Sequence, residues 1–229
     1  MNQQWTRITG AIAGAIFALC LFLSLAVVDP LRQATDAELT AWWSSNSNLD
    51  DLIASMYLRL LAIPFLLVFL AQLRQVLRSS DGEIGADVAH SSGVVCAAML
   101  GVSVLARGVT AQSIRLDDEP LPGVDTLRLL TELSYHAYGM AAVGMLALTA
   151  GATALVVLST NALPRWLGWV SLPLAVVSLV AVALQFGAFA SPLLLMWVLA
   201  TSFCLLRARN TAADQAASPA VLQANESFN

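Results

Sequence analysis

Six long apolar stretches occupy most of this 229-residue chain. They lie at 8–28, 53–76, 89–110, 129–158, 164–186 and 189–208. A helix needs about 20 apolar residues to cross the ~30 Å hydrocarbon layer of a bilayer, and each stretch reaches that length. Helices of a soluble domain would show one apolar face rather than runs that are apolar all round. The pattern therefore predicts an all-α, polytopic membrane helix bundle with about six transmembrane helices.

The longest loop between two stretches, at residues 29–52, contains a further helix signal. Its segment Asp36–Trp43 begins with acidic residues and ends with two tryptophans. Acidic side chains stabilise a helix N-terminus, and tryptophan rings favour the head-group layer of a membrane. This loop therefore predicts a short interfacial helix that holds Trp42 and Trp43 at head-group depth.

The distribution of arginine predicts the orientation. All eleven basic residues are arginine, and the loops on the side of the two termini hold more of them, namely Arg7, Arg74, Arg78, Arg165, Arg207 and Arg209. Arginine in short loops favours the cytoplasmic side. We therefore expect a multi-pass protein of the cell membrane whose N- and C-termini are cytoplasmic. Residues 1–208 form its transmembrane domain, and residues 209–229, polar and rich in small side chains, form a disordered cytoplasmic tail.

Composition and charge exclude several functions. The chain is 58% hydrophobic and only 11% charged, and its net charge of −4 offers no basic surface for a nucleic acid. The three cysteines, Cys20, Cys96 and Cys204, lie inside apolar stretches without metal-ligand spacing, so no metal site is expected. No cofactor is expected either. His90 lies at the cytoplasmic start of the third span and His136 at the outer start of the fourth, so the two are too far apart to share a haem.

Polar residues within the spans mark the candidate site. A charged side chain at the centre of a span costs at least ~2.5–3.5 kcal/mol on insertion scales, so such residues are retained for a reason. Arg59, Arg107, Glu132 and His136 all fall in the outer leaflet when each span is followed in its predicted direction. Glu132 and His136 are four residues apart on one helix face, and Tyr135 belongs to the same stripe. The spacing predicts a polar pocket lined by the second, third and fourth spans.

This pocket supports three interpretations. Arg59, Arg107, Glu132, Tyr135 and His136 could bind a lipid or a hydrophobic small molecule. They could instead form ion pairs that fix helix packing, with Glu132 against either arginine, or the arginines could extend toward the head groups. Glu132 and His136 could also act as acid and base on a lipid or isoprenoid-like substrate. Because no nucleophile, metal or phosphate motif accompanies them, we expect a non-enzymatic binding, accessory or transport component of the cell envelope, with a membrane-embedded enzyme as the alternative.

The expected partner is the lipid bilayer, with a lipid or hydrophobic small molecule and a second copy of the chain as further candidates. Gly10 and Gly14 form a G-x-x-x-G spacing in the first stretch, which permits close helix approach or a homo-oligomer. Contact within the bundle is the favoured use, because pairs of small residues are common in alanine-rich spans.

Two segments carry a family resemblance. Leu163–Trp169 reads Leu-Pro-Arg-Trp-Leu-Gly-Trp at the start of the fifth stretch, and the second stretch ends Phe-Leu-Ala-Gln-Leu-Arg-Gln-Val-Leu-Arg at Phe69–Arg78. With the acidic first loop and its Ala-Trp-Trp sequence, this layout resembles a set of uncharacterised actinobacterial six-span integral membrane proteins over most of residues 8–208. The resemblance implies the six-span fold and carries no activity.

Overall fold

The fold is helical throughout the residues that are described. The computed structural model describes residues 3–25, 34–78, 82–117 and 119–226, with side chains from Ile8 to Arg207 within those ranges. The elements are α1 (Gln3–Ser24), α2 (Asp36–Trp43), α3 (Asn46–Arg78), α4 (Glu83–Leu116), α5 (Val124–Tyr135), a π-helix (His136–Ala142), α6 (Val143–Thr160), α7 (Arg165–Ala183) and α8 (Gly187–Glu226). The predicted all-α class is confirmed.

Five helical segments are long and apolar enough to cross a membrane. They are Asn46–Arg78, Glu83–Leu116, Val124–Thr160, Arg165–Ala183 and Gly187–Arg207. A sixth apolar segment, Ile8–Ser24, is shorter. The multi-span membrane architecture is therefore confirmed, whereas a membrane-spanning first stretch stays a prediction. Its predicted end at residue 28 lies outside the described residues.

The two helices α3 and α4 are much longer than a bilayer requires. They contain 33 and 34 residues, which correspond to about 50 Å at 1.5 Å per residue. The hydrocarbon layer is only ~30 Å thick. The predicted spans 53–76 and 89–110 therefore lie inside longer helices that continue beyond them at both ends. The added turns have their own packing partners.

Most of the buried apolar side chains form one core, which we call the membrane core. Its fully buried members include Phe17, Leu66, Phe69, Leu70, Leu100, Leu167 and Leu194. These residues belong to α1, α3, α4, α7 and α8, so the core joins the apolar segments into one bundle. Burying side chains of this size contributes about 1.5–3 kcal/mol each in water, although among membrane helices the gain comes mainly from close packing.

The two glycines of α1 serve contacts within this bundle. A Cβ atom on Gly10 would collide with the side chain of Gln72 on α3. On Gly14 it would collide with Phe69 on α3 and with Ser202 on α8. The G-x-x-x-G spacing therefore lets α1 approach two neighbouring helices, as favoured from the sequence. A homo-oligomer stays a prediction.

A second, smaller core lies at one end of the bundle, and we call it the cap core. Its buried members are Ala34, Leu39, Trp43, Leu49, Leu52, Ala111 and Leu127. They come from α2, the first turns of α3, the last turns of α4 and the start of α5. Two ion pairs close this region, Arg128 with Asp36 at 2.6 Å and Arg115 with Asp50 at 2.8 Å. The long helices thus carry a helical cap beyond the membrane core.

The short helix predicted at residues 36–43 is present as α2. Thr35 and Glu38 form a capping box at its start, in which the Glu38 carboxylate accepts hydrogen bonds from the backbone N–H and the hydroxyl of Thr35 at 2.8 and 2.9 Å. These hydrogen bonds, the backbone one foremost, hold the pKa of the Glu38 carboxyl below its usual value. The capping box therefore stabilises α2 most at pH values at which this carboxyl is ionised, and this contribution is lost as the pH falls through its lowered pKa.

The structure gives one tryptophan a packing role that the sequence analysis did not predict. Trp43 is 0% exposed and belongs to the cap core, so its ring packs against protein rather than lipid head groups. Its position four residues after Leu39 gives both side chains the same helix face. Trp42 is partly buried against this core, and its ring meets that of Trp43 edge-on at 5.6 Å. The depth of α2 relative to a membrane stays a prediction.

The last two helices form a tight hairpin. The turn between them includes Gln185, which adopts a left-handed backbone conformation with φ of 65°. Helix α8 then begins at Gly187, earlier than the apolar stretch at 189 indicates. At its other end the backbone stays helical to Glu226 instead of stopping near residue 208. The disorder of residues 209–229 and their cytoplasmic location stay predictions.

Candidate functional site

Buried polar side chains form a layer between the membrane core and the cap core. Along α3, Ser55 and Arg59 lie between Leu52 of the cap core and Ala62 of the membrane core. The same order recurs on α4 and on α5 with the π-helix. We call this set the polar layer, and its members are Ser24, Ser55, Arg59, Ser103, Arg107, Thr131 and Ser134. The two buried arginines of the described residues thus lie at one depth of the bundle.

The two arginines of the polar layer line the same cavity. Arg59 is 6% exposed and Arg107 is 4% exposed. The cavity between α3 and α4 is bordered by Leu52, Ser55, Met56, Arg59, Ser103, Val104, Arg107 and Gly108. The sequence analysis placed both arginines at one depth, and the structure brings them together. We refer to this space as the arginine cavity.

Contacts on two sides hold Arg59 in place. Its Nε–H donates to the hydroxyl of Ser24 at 3.3 Å, and that hydroxyl donates in turn to the carbonyl of Leu21 at 2.7 Å. Its guanidinium carbon lies 5.1 Å from the centre of the Tyr138 ring, within the range of a cation–π contact. Helices α1 and α3 and the π-helix therefore meet at this one side chain.

Hydroxyl groups connect α4 to α5 at the same depth. The Ser103 and Ser134 hydroxyls are 3.1 Å apart, and the Ser134 hydroxyl also lies in donating range of the Ser103 carbonyl at 2.9 Å. Ser103 borders the arginine cavity. Hydrogen bonds between Ser103 and Ser134 therefore connect α4 and α5 within the polar layer.

The π-helix is the feature that the sequence analysis missed. The seven residues His136–Ala142 interrupt a helical run of 37 residues, Val124–Thr160. A π-helix makes i→i+5 hydrogen bonds and occurs mostly as a single turn, frequently at functional sites. Here it includes Tyr138, the ring that contacts Arg59. Gly139 at its centre is a weak sequence signal, because glycine is disfavoured inside an α-helix.

The remaining predicted site residues make contacts within α5 and with the α7–α8 turn. Glu132, Tyr135 and His136 are not among the residues that line the arginine cavity. The His136 Nδ1 atom lies 2.8 Å from the backbone carbonyl of Glu132 and 3.5 Å from its carboxylate. The Tyr135 hydroxyl donates to the carbonyl of Gln185 in the α7–α8 turn at 2.8 Å. We call Glu132, Tyr135 and His136 the α5 cluster; one pocket of all five residues, and an ion pair of Glu132 with an arginine, stay predictions.

The size of the arginine cavity limits what it holds in this conformation. Its volume is about 10 Å³, which is close to the minimum for one water molecule. A second cavity of about 10 Å³ lies on the other side of Tyr138, among apolar residues that include Leu21, Cys96 and Leu194. Neither space admits a whole lipid or isoprenoid. A ligand larger than water that occupied either of these two cavities would have to widen it.

The chemistry available at these clusters is acid–base contact and electrostatics. In the described parts of the chain, no group of three or more His, Cys, Asp or Glu side chains is arranged to hold a metal ion. The arginine cavity offers guanidinium and hydroxyl donors, whereas the α5 cluster offers one carboxylate and one imidazole. The first arrangement suits a negatively charged group, and the second suits a proton exchange.

Comparison of the chain with protein-family models, with curated proteins and with solved structures finds no match in any of the three.

Proposed function

We propose that this multi-span membrane protein is a non-enzymatic binding, accessory or transport component of the cell envelope, with a polar pocket near the outer leaflet. The observation that carries the proposal is the shared cavity of Arg59 and Arg107, both almost fully buried on neighbouring helices. Buried charge in a membrane segment is costly, so two arginines at one depth favour a role beyond packing. Membership of the six-span family named above is part of this proposal.

The environment of the polar layer supports a binding role over catalysis. Both arginines border a small enclosed space together with Ser55 and Ser103. Catalysis would require a substrate-sized space that brings a reacting atom against an acid or a base. A pocket that selects a ligand group needs only complementary donors.

Lipids that co-purify with the protein provide the test. We expect the full-length protein, extracted in a mild uncharged detergent, to retain one lipid or isoprenoid class above its share of the total membrane extract. Mass spectrometry of the small molecules measures this enrichment. The matched control is an unrelated multi-span protein purified from the same membranes. Retained lipids that mirror the bulk extract in both proteins would contradict the binding role.

One observation keeps the enzymatic alternative open. Glu132 and His136 are 3.5 Å apart on a partly exposed helix face, a separation at which an acid and a base can exchange a proton. A membrane-embedded enzyme acting on a lipid or isoprenoid-like substrate would use this pair. Replacing Glu132 by Gln should then abolish turnover of a co-purified lipid without changing how much of it is bound. Unchanged turnover in Glu132→Gln would reject the alternative.

The proposal includes an orientation with six spans and both termini in the cytoplasm. On the terminal side, Asp87 pairs with Arg74 at 2.8 Å and with Arg78 at 2.9 Å. Arginine near span ends favours the cytoplasm. Single cysteines placed at positions 81 and 162 of a cysteine-free variant should therefore resist an impermeant thiol reagent in intact cells. Strong labelling at either position would reverse the orientation.

A further inference from the structure

We propose that a groove between the start of α4 and the end of α6 binds one acyl chain of a phospholipid whose head group carries an ammonium. Its volume is about 660 Å³, within the ~300–1,000 Å³ of sites that hold small ligands. We call it the α4–α6 groove. It shares no lining residue with the arginine cavity, so this site is additional to the one proposed above. Its walls include Glu83, Ile84 and Val88 of α4 and Leu155, Val156 and Ser159 of α6.

The α4–α6 groove belongs to the part of the bundle that crosses the membrane. Both helices are long and apolar enough to span a bilayer, and Val156 in the groove wall is a member of the membrane core. Trp166 and Trp169, at the start of α7, are 50% and 66% exposed. They flank Gly168, whose Cβ would lie 2.8 Å from Leu158 near the end of α6. Because exposed tryptophan rings favour the head-group layer, the end of α6 and the groove beside it have the same expected depth.

The two helices are antiparallel along the groove. Gly85 packs on Val156, where a Cβ atom would collide with the valine side chain. Further along α4, the Ser92 hydroxyl lies 2.9 Å from that of Thr149, an earlier residue of α6. The first turn of α4 therefore lies beside the last turns of α6, and the groove runs from this end toward the middle of the bundle.

This arrangement makes the groove polar at one end and apolar along the rest. Glu83 and Ser159 are the residues nearest the helix ends, and both are exposed. Ile84, Val88 and Leu155 line the remainder and are 83%, 44% and 62% exposed. A phospholipid has the same distribution, with a polar head group above an apolar chain. One acyl chain between α4 and α6 would cover these three side chains and bring its head group to Glu83.

Charge at the polar end determines which head group the groove favours. None of the described residues that border the groove is basic, and Glu83 has no ion pair with another described residue. One turn further along α4, Asp87 is paired with both Arg74 and Arg78. Glutamate in a first turn also stabilises its own helix. An ammonium group is the complement that the Glu83 carboxylate lacks within the described chain.

Native mass spectrometry of the full-length, delipidated protein tests the head group. The probes are phosphatidylethanolamine and phosphatidylglycerol with the same acyl chains, offered at equal concentrations in an uncharged detergent. The wild type should prefer phosphatidylethanolamine, and Glu83→Gln should reduce that preference by about 2- to 5-fold, the range of an exposed ion pair. Glu83→Asp keeps the charge and should retain the preference. Glu119→Gln, beyond the other end of α4, removes the same net charge and should also retain it.

A substitution that fills the groove tests where the chain binds. Val88→Phe places a ring in the groove and should lose most of the bound phosphatidylethanolamine. Val95→Phe is the matched control, because Val95 lies two turns further along the same face of α4, is 42% exposed against 44% for Val88, and does not line the groove. It should bind lipid as the wild type does. If either Phe variant fails to fold, the Glu83 variants decide the result on their own.

Three results would overturn the site. The first is equal binding of the two lipids by the wild type, or a preference that persists unchanged in Glu83→Gln. The second is the same amount of bound lipid in Val88→Phe and Val95→Phe, since the lipid would then lie elsewhere on the surface. The third is a wild-type dimer without lipid preference that Val88→Phe dissociates, which would assign the groove to a second copy of the chain.

Discussion

Replacing Trp43 by alanine is expected to destabilise the cap by about 3–5 kcal/mol, the range for truncating a buried aromatic residue. Trp43 is 0% exposed and is the largest fully buried side chain of the described residues. Its removal opens a cavity between α2 and the ends of α3, α4 and α5. Because the membrane core has separate members, the loss should be local to the cap.

Hydrogen exchange of the detergent-solubilised protein measures this prediction. Backbone amides of α2 and of the first turns of α3 should exchange much faster in Trp43→Ala, and those around Leu66 and Leu167 should not. Trp42→Ala is the matched control, because Trp42 is adjacent yet only partly buried. Equal acceleration by both variants would mean that the two rings contribute alike, as expected of paired interfacial anchors, and would refute the cap core.

The membrane bundle could be predicted from the sequence because lipid imposes a simple constraint. A backbone in hydrocarbon must satisfy its own hydrogen bonds, so each long apolar stretch has to be a helix. The stretches at 53–76, 89–110 and 129–158 each lie within a helical run. Their ends were less predictable. The first turns of α3 include Asp50 and Asp51, whose polarity suggested a loop, although Leu49 and Leu52 beside them are buried.

The cap core was not predicted from the sequence, because the two tryptophans were interpreted as membrane anchors. Two adjacent tryptophans next to a membrane span are typical of an interfacial anchor. The spacing of Leu39 and Trp43, four residues apart, was the available signal for a buried face. What the sequence alone could not supply was the partner for that face. It is formed by Leu49 of the next helix and by Ala111 and Leu127, and the last two are distant in sequence.

The depth of the two arginines could be predicted from the sequence, but the rotation of α5 about its axis could not. Counting residues from the span ends gave Arg59 and Arg107 the same depth, and the two side chains do share a cavity. The rotation of α5 about its axis depends on its packing and on the π-helix below it, which no periodicity of the sequence indicates. Glu132 and His136 contact each other at 3.5 Å, and their place in one pocket with the arginines stays a prediction. Tyr138, the aromatic contact of Arg59, was not predicted.

Replacing Gly187 by alanine should lower the free energy of unfolding by about 1–3 kcal/mol, as overpacking of a close helix contact does. A Cβ atom at Gly187 would collide with the carbonyl oxygen of Gly139 in the π-helix and would lie 2.8 Å from Val182. The first obstacle is backbone, so no side-chain rotation relieves it. Either the start of α8 or the π-helix must move.

The sign of the change distinguishes this contact from ordinary helix propensity. Alanine is preferred over glycine inside a helix by roughly 0.5–1 kcal/mol, so a Gly→Ala substitution without a clash should stabilise the protein. Gly144 is the matched control, because it is buried in α6 and a Cβ there would meet Val182 at an ordinary 3.6 Å. Thermal unfolding in detergent should show a lower melting temperature for Gly187→Ala and an equal or higher one for Gly144→Ala. An increase in both would mean that the π-helix and α8 are not in the close contact seen here. The position of Tyr138 against Arg59 would then lack its support from α8.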